Sequence, residues 1–287
     1  MLCKDNWIDI SWDGLAKRVQ TENLQVTFNK KAQQIMPFDL ACDVVAQEIY
    51  SEHKKLYVTL SGGCDSENVA NAFYRNNIPF TPLILMYDHV MHRDQQIESW
   101  FAFQWCKNHN IEPLVLNCGT LVNSLKEKES YLSIRPRLYF GNTTSFLLAE
   151  HIKNLDGKLV TGSQLEYYPD YEQMTYLEPQ LKDYVGFVME ESDYYLETNV
   201  PDQHPWAFHY WSPEVLAAFV NEWDTELTMQ ENKAKIYKVT HRPKIAYPPD
   251  FLLPRFAYNR DAISRQFGTI DCALLGTKQS LLEKLVK

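Results

Sequence analysis

The chain has 287 residues, of which 45% are apolar, 13% aromatic and 23% charged, and its net charge is −9; this excludes a disordered or fibrous protein and allows one large domain or two modest ones. No run of about 18 apolar residues occurs, as a membrane-crossing helix requires, and Met1 to Trp7 lacks the basic and apolar parts of a secretory leader. A soluble, cytoplasmic protein with no membrane partner is expected.

Residues 1–37 read as an N-terminal extension, and regular alternation begins near residue 38. Asp39 to Tyr50 carries Leu40, Val44, Val45 and Ile49 at helical spacing, and Lys55 to Leu60 is a mostly apolar strand of the kind buried in parallel sheets. A second helix, Glu67 to Asn76, is marked by Val69, Ala72 and Phe73. The next strand is Phe80 to Tyr87, with Pro82 near its start, where a missing N–H is tolerated. From about Asp94 a third helix places Ile97, Trp100, Phe101 and Trp105 on one side and stops at His109-Asn110. Leu114 to Leu116 is a third strand, Asn142 to Asn154 a helix closed by Asp156-Gly157, and Lys158 to Thr161 a fourth strand.

Strands alternating with helices of this length predict an α/β fold, a Rossmann-like parallel sheet with helices on both faces and a site beyond the strand C-termini. The alternation fails from Glu166. Ten acidic residues between Glu166 and Asp202 face Lys182 alone, so this stretch holds the whole net charge. Helices are expected at Pro213 to Trp223 and Ser280 to Val286, and residues 171–287 read as a mainly helical lobe for a substrate or partner. The acidic balance disfavours extended nucleic-acid binding. The basic stretch Lys233, Lys235, Lys238, Arg242, Lys244, Arg255, Arg260 and Arg265 is either a solvated face or one turned to a phosphate-bearing ligand.

The most informative residues are Ser61-Gly62-Gly63-Cys64-Asp65-Ser66, between the first predicted strand and the second predicted helix. Two glycines permit a tight turn and close approach, successive N–H groups form an anion nest, and a helix N-terminus adds partial positive charge. The Ser61 and Ser66 hydroxyls can donate to phosphate oxygens. Asp65 is a poor phosphate contact by itself, but a carboxylate beside bound phosphates makes sense when it holds Mg²⁺. The plainer alternative is a Ser-Gly-Gly turn with Asp65 or Ser66 as N-cap. No Walker A pattern, G-x-x-x-x-G-K-S/T, is present.

Ser61 to Ser66 matches in full the S-G-G-x-D-S signature of the PP-loop ATP pyrophosphatases, and the resemblance extends over roughly residues 38–170. It implies a nucleotide domain over those residues, with ATP and Mg²⁺ as cofactors. ATP would be cleaved between the α- and β-phosphates to adenylate an acceptor oxygen on a small molecule or nucleobase, for later displacement by nitrogen or sulfur. Arg93-Asp94 resembles the family's acidic helix start, although Asp94 as an N-cap explains it equally. The stretch from Pro136 to Asn142 through Leu159 to Asp170 resembles the helix, fourth strand and glycine loop of the amidotransferase-type and queuosine-precursor members. By that resemblance Glu166 shares Mg²⁺ with Asp65, Gly162 allows close backbone approach, and residues near Met86 contact adenine. Arg135, Arg137, Lys244 and Arg255 are candidate bases for the leaving pyrophosphate, with Lys244 assigned the catalytic role.

The departures from the family bear on the acceptor half. Only 60 residues precede the loop and Cys3 does not follow Met1 directly, so neither glutaminase type is expected, and ammonia or sulfur would come free or from a separate donor protein. The six cysteines, Cys3, Cys42, Cys64, Cys106, Cys118 and Cys272, make no C-x-x-C pair, which argues against zinc, thioredoxin-type and disulfide frameworks. A sulfur-transfer or sulfonucleotide-reducing relative, and a nucleotide-binding module without catalysis, remain the competing classes. Asp88, His89, His92 and Asp94 have metal-compatible spacing, and the aromatic stretch His204 to Trp211 suits either a stacked ring or packing between lobes.

Overall fold

The computed structural model describes residues 4–12, 24–86, 93–117, 148, 151–162, 164–168, 186–190, 205–240 and 272–287. In chain order its elements are β1 (Ile8–Trp12), β2 (Leu24–Phe28), α1 (Phe38–Glu52), β3 (Leu56–Thr59), α2 (Cys64–Arg75), β4 (Thr81–Met86), α3 (Arg93–His109) and β5 (Leu114–Asn117). They continue with β6 (Lys158–Thr161), β7 (Glu166–Tyr168), β8 (Gly186–Glu190), β9 (Trp206–Ala207), α4 (Pro213–Glu222), α5 (Met229–Tyr237), β10 (Cys272–Gly276) and α6 (Lys278–Leu285).

The fold is α/β and Rossmann-like. A five-stranded sheet runs in the order β5-β4-β3-β6-β9, every neighbouring pair parallel. The order reverses between β3 and β6, and at such a switch point the ligand crevice of an open parallel sheet lies outside the C-terminal ends of the two strands. Side chains alternate across the sheet: Leu56 and Val58 join the core beneath α1 and α2, while Tyr57 turns to the other face against Gly157 and Ile152 of the helical residues 151–154. On β4, Ile84 packs with Ala70 of α2 and with Ala102, Trp105 and Cys106 of α3.

Residues 171–287 supply strands as well as helices. β8 lies between β7 and β10 in an antiparallel three-stranded sheet, and β9 extends the parallel sheet at its edge. Val215 to Val220 of α4 are buried without a break, as in a helix enclosed on all sides, and α4 packs on α1 and α6 while α5 packs on α1 and α2. One core therefore runs from Trp7 and Phe38 through Val58 and Phe219 to Leu285. β1 and β2 are tied to it by Trp7, 1% exposed, whose indole N–H donates to the Tyr210 carbonyl at 3.0 Å. Among the described residues no helix is long and apolar enough to cross a membrane.

Cys42 lies wholly inside this core, and burial pushes its thiol up to about 12. A thiol that ionises near 9 when unfolded favours the folded state below that pH, and the advantage is lost as pH rises from 9 towards 12. Between pH 8 and 10 the wild type should lose about 1 kcal/mol more unfolding free energy than Cys42→Ala. Urea unfolding at the two pH values checks this, and equal losses would refute it.

Candidate functional site

The residues of the Ser61 to Ser66 loop hold one another. After β3, the Leu60 N–H donates to the Leu83 carbonyl at 2.9 Å, keeping the chain beside β4. Gly62 then turns at φ 97°, a left-handed conformation that favours glycine, and Gly63 is the N-cap of α2 in extended backbone. The helix thus starts at Cys64 rather than at Glu67, the Glu67 N–H donating to the Gly63 carbonyl at 3.1 Å; the first turn has no apolar periodicity to mark it in the sequence. The Ser66 hydroxyl donates to the Gly63 carbonyl at 3.0 Å and accepts from the Ser61 N–H at 3.2 Å. The Ser61 oxygen lies 3.1 Å from it and accepts from the Gly63 N–H at 3.3 Å. Since a hydroxyl has one proton, Ser66 donates within the loop and Ser61 donates to Ser66. Neither Asp65 nor Ser66 is the N-cap, and no side chain caps α2, so its dipole leaves partial positive charge at the crevice.

Across the crevice, Gly162 follows β6. A Cβ on Gly162 would lie 3.0 Å from the Asp65 carbonyl oxygen and 3.0 Å from the Ser66 Cα, so two backbones meet closely enough that a side chain here would press them apart. The Gly162 carbonyl faces His209 Nδ1 at 3.1 Å, and His209 Nε2 faces the Asn68 amide nitrogen at 2.9 Å. A carbonyl only accepts, so Nδ1 carries the proton and Nε2 accepts from Asn68. Gln164, 2% exposed, accepts from the Leu165 N–H through Oε1, while its buried Nε2 has no partner among the described residues.

The third contribution comes from α5. Thr228 and Glu231 form a capping box that fixes its start, and Lys233 and Tyr237, four residues apart, share one face. The Lys233 ammonium donates to Asp65 Oδ2 at 2.9 Å and to Glu166 Oε1 at 3.4 Å. The Tyr237 hydroxyl donates to Asp65 Oδ1 at 2.6 Å. Burial, and then the charge of Asp65, push the Tyr237 phenol well above its ordinary 10, so it remains a donor. Beneath it the rings of Phe38, His209 and Tyr237 stack, with His209 and Tyr237 at 5.7 Å and 5°. Tyr237→Phe keeps this stack and removes one bond to a carboxylate; a loss of about 2 kcal/mol in unfolding free energy is expected, checked by urea denaturation, and an unchanged midpoint would refute it.

The structure thus brings Asp65, Glu166, Gly162 and the Ser61 to Ser66 loop to one crevice, with Met86 half-buried at the end of neighbouring β4. Lys244, Asp88, His89, His92, Arg135, Arg137, Arg255 and His204 lie outside the described residues, as do the side-chain surroundings of Asp94. Trp211 and His209 are core residues. Tyr237 and Asn68 escaped the sequence reading, while Lys233 was placed only in a basic stretch and His209 only in an aromatic one. The Thr228-x-x-Glu231 pattern would have announced α5, and with it the shared face of Lys233 and Tyr237.

No family model matches the chain, and no curated protein matches it. Solved structures similar to it include an NH3-dependent NAD synthetase from Campylobacter jejuni subsp. jejuni NCTC 11168 in complex with the nitrate ion, at 13% identity and a TM-score of 0.30. That likeness covers 48% of this chain, which spans 58% of the length of the synthetase. An NMN synthetase from Francisella tularensis is similar at 13% identity and a TM-score of 0.35, over 81% of this chain and 93% of that one. The U34-tRNA thiolase NcsA from Methanococcus maripaludis, with its 4Fe–4S cluster, is similar at 12% identity and a TM-score of 0.33, over 86% and 80%. At TM-scores of 0.30 to 0.35 the fold rests on the chain's own strand order.

Proposed function

We propose that the chain is an ATP-dependent enzyme that cleaves ATP to AMP and pyrophosphate and adenylates an acceptor oxygen, which a nitrogen nucleophile then displaces. One observation carries this reading: at the reversal of strand order, a glycine loop opening a helix that no side chain caps stands beside two convergent carboxylates. Asp65 and Glu166 already converge on one cationic point, occupied by the Lys233 ammonium, and so fit Mg²⁺. Bound there with ATP, the metal would neutralise charge developing on the leaving pyrophosphate.

The residues of the chain bind and orient. The Gly62-Gly63 backbone and the α2 N-terminus would receive the phosphates, with Met86 beside the adenine. Gly162 keeps the backbone after β6 close to the α2 turn. Catalysis then comes from in-line placement of the acceptor oxygen and from charge neutralisation.

Thermal stabilisation by Mg²⁺–ATP against Mg²⁺–GTP tests the reading without knowledge of the acceptor. The wild type should gain a few degrees with ATP at about 100 times its Kd, and Asp65→Ala should not. No shift at millimolar ATP would overturn the proposal, and a shift retained by Asp65→Ala would move the nucleotide elsewhere.

A further inference from the structure

Lys233 stands where a metal ion would. Its ammonium lies 2.9 Å from Asp65 and 3.4 Å from Glu166, with its side chain 6% exposed and the carboxylates 30% and 25% exposed. A buried ammonium is costly unless paired, and two facing carboxylates repel unless a cation stands between them. The arrangement is therefore self-sufficient: a protein charge already meets the need that a divalent ion would meet. Tyr237 engages the other oxygen of Asp65, so that carboxylate is held on both sides by the same helix.

We propose that Lys233 is a specificity-determining residue, a resident cation that keeps the Asp65–Glu166 pair closed to free divalent metal and admits metal only with a phosphate-bearing ligand. The inference rests on the proposed nucleotide site for its second half alone. A free hydrated ion must shed water, which Mg²⁺ does reluctantly, and must approach a fixed positive charge in a poorly screened place. Metal arriving on a polyphosphate brings its own oxygen ligands and offers Lys233 an anionic partner in exchange for the carboxylates. The long, flexible lysine stem suits that exchange.

Mn²⁺ alone is the probe, titrated into the full chain without nucleotide and followed by the electron paramagnetic resonance signal of the free ion. Wild type should bind Mn²⁺ no tighter than millimolar. Lys233→Met should gain one site about 100-fold tighter, and adding Asp65→Asn to it should abolish the gain. Lys233→Arg keeps the charge and should bind as weakly as wild type. Should Lys233→Met require a cation to fold, recovery of its thermal transition by Mn²⁺ reports the same gain. Equal Mn²⁺ affinity in wild type and Lys233→Met would overturn the proposal, as would a Met variant that stays unfolded in Mn²⁺. Its failure is separable from that of the nucleotide reading. A Mn²⁺ gain in Lys233→Met without ATP stabilisation of wild type removes the nucleotide reading and keeps Lys233 as the resident cation. ATP stabilisation with no Mn²⁺ gain does the reverse.

Discussion

Asp65→Asn is expected to fold and to lose at least about 10³-fold in AMP and pyrophosphate production. The substitution preserves shape while removing charge. An asparagine oxygen can still accept from Lys233, and its amide can donate to the Tyr237 oxygen, so both bonds to α5 have a substitute. What is lost is one of two anionic groups able to hold Mg²⁺ against a leaving pyrophosphate. The measurement is simultaneous release of AMP and pyrophosphate across a panel of carboxylate and amide acceptors, with circular dichroism confirming the fold. Turnover retained within tenfold would reject Asp65 as the metal-holding residue. The same variant separates a catalyst from a mere nucleotide-binding module, which forms no AMP in either state.

Gly162→Ala should be damaging out of proportion to one methyl group. The added Cβ meets the Asp65 carbonyl oxygen at 3.0 Å, the Ser66 Cα at 3.0 Å and the Asp65 carbonyl carbon at 3.1 Å. All three are backbone atoms and cannot rotate away, so the α2 turn and the β6 loop must separate. Overpacking of this kind costs about 1–3 kcal/mol, and here the displaced atoms belong to the phosphate loop and to the carbonyl held by His209. Stabilisation by ATP should vanish with it. Gly63→Ala is the control for stability: φ is −77° and the new Cβ would lie 3.5 Å from the Ser61 hydroxyl oxygen, an ordinary contact. If Gly162→Ala unfolds at the wild-type urea concentration, the close approach of the two backbones is wrong.

The parallel sheet was legible in the sequence because each strand is a short apolar run bounded by helical periodicity. Lys158 to Thr161 was read to the residue, and α1, α3 and α4 were read to within a few residues. Ser61 to Ser66 was legible because its neighbours were. What periodicity could not reveal is pairing between distant short strands. Gly186 to Glu190 has no turn beside it linking it to Cys272 to Gly276, yet the two form a ladder, and Trp206-Ala207 is too short to announce a strand. The site divides in the same way. Asp65, Glu166 and Gly162 sit next to the strands that place them, whereas Lys233 belongs to a helix with a weak apolar stripe, and its partners lie 168 and 67 residues away. Charge counting placed Lys233 in a basic stretch but gave no means of choosing it over Lys244.

That separation gives the molecule a timetable. During synthesis, Asp65 leaves the ribosome 168 residues ahead of Lys233, an interval on the order of ten seconds at ordinary elongation rates. Glu166 also emerges before that ammonium, so the nascent chain carries both carboxylates before the lysine that bridges them. Docking of α5 ends that interval. A late piece bridges early ones, and a ribosome stalled before residue 229 would carry a strand, loop and helix that look complete in sequence and lack the ammonium that joins Asp65 to Glu166.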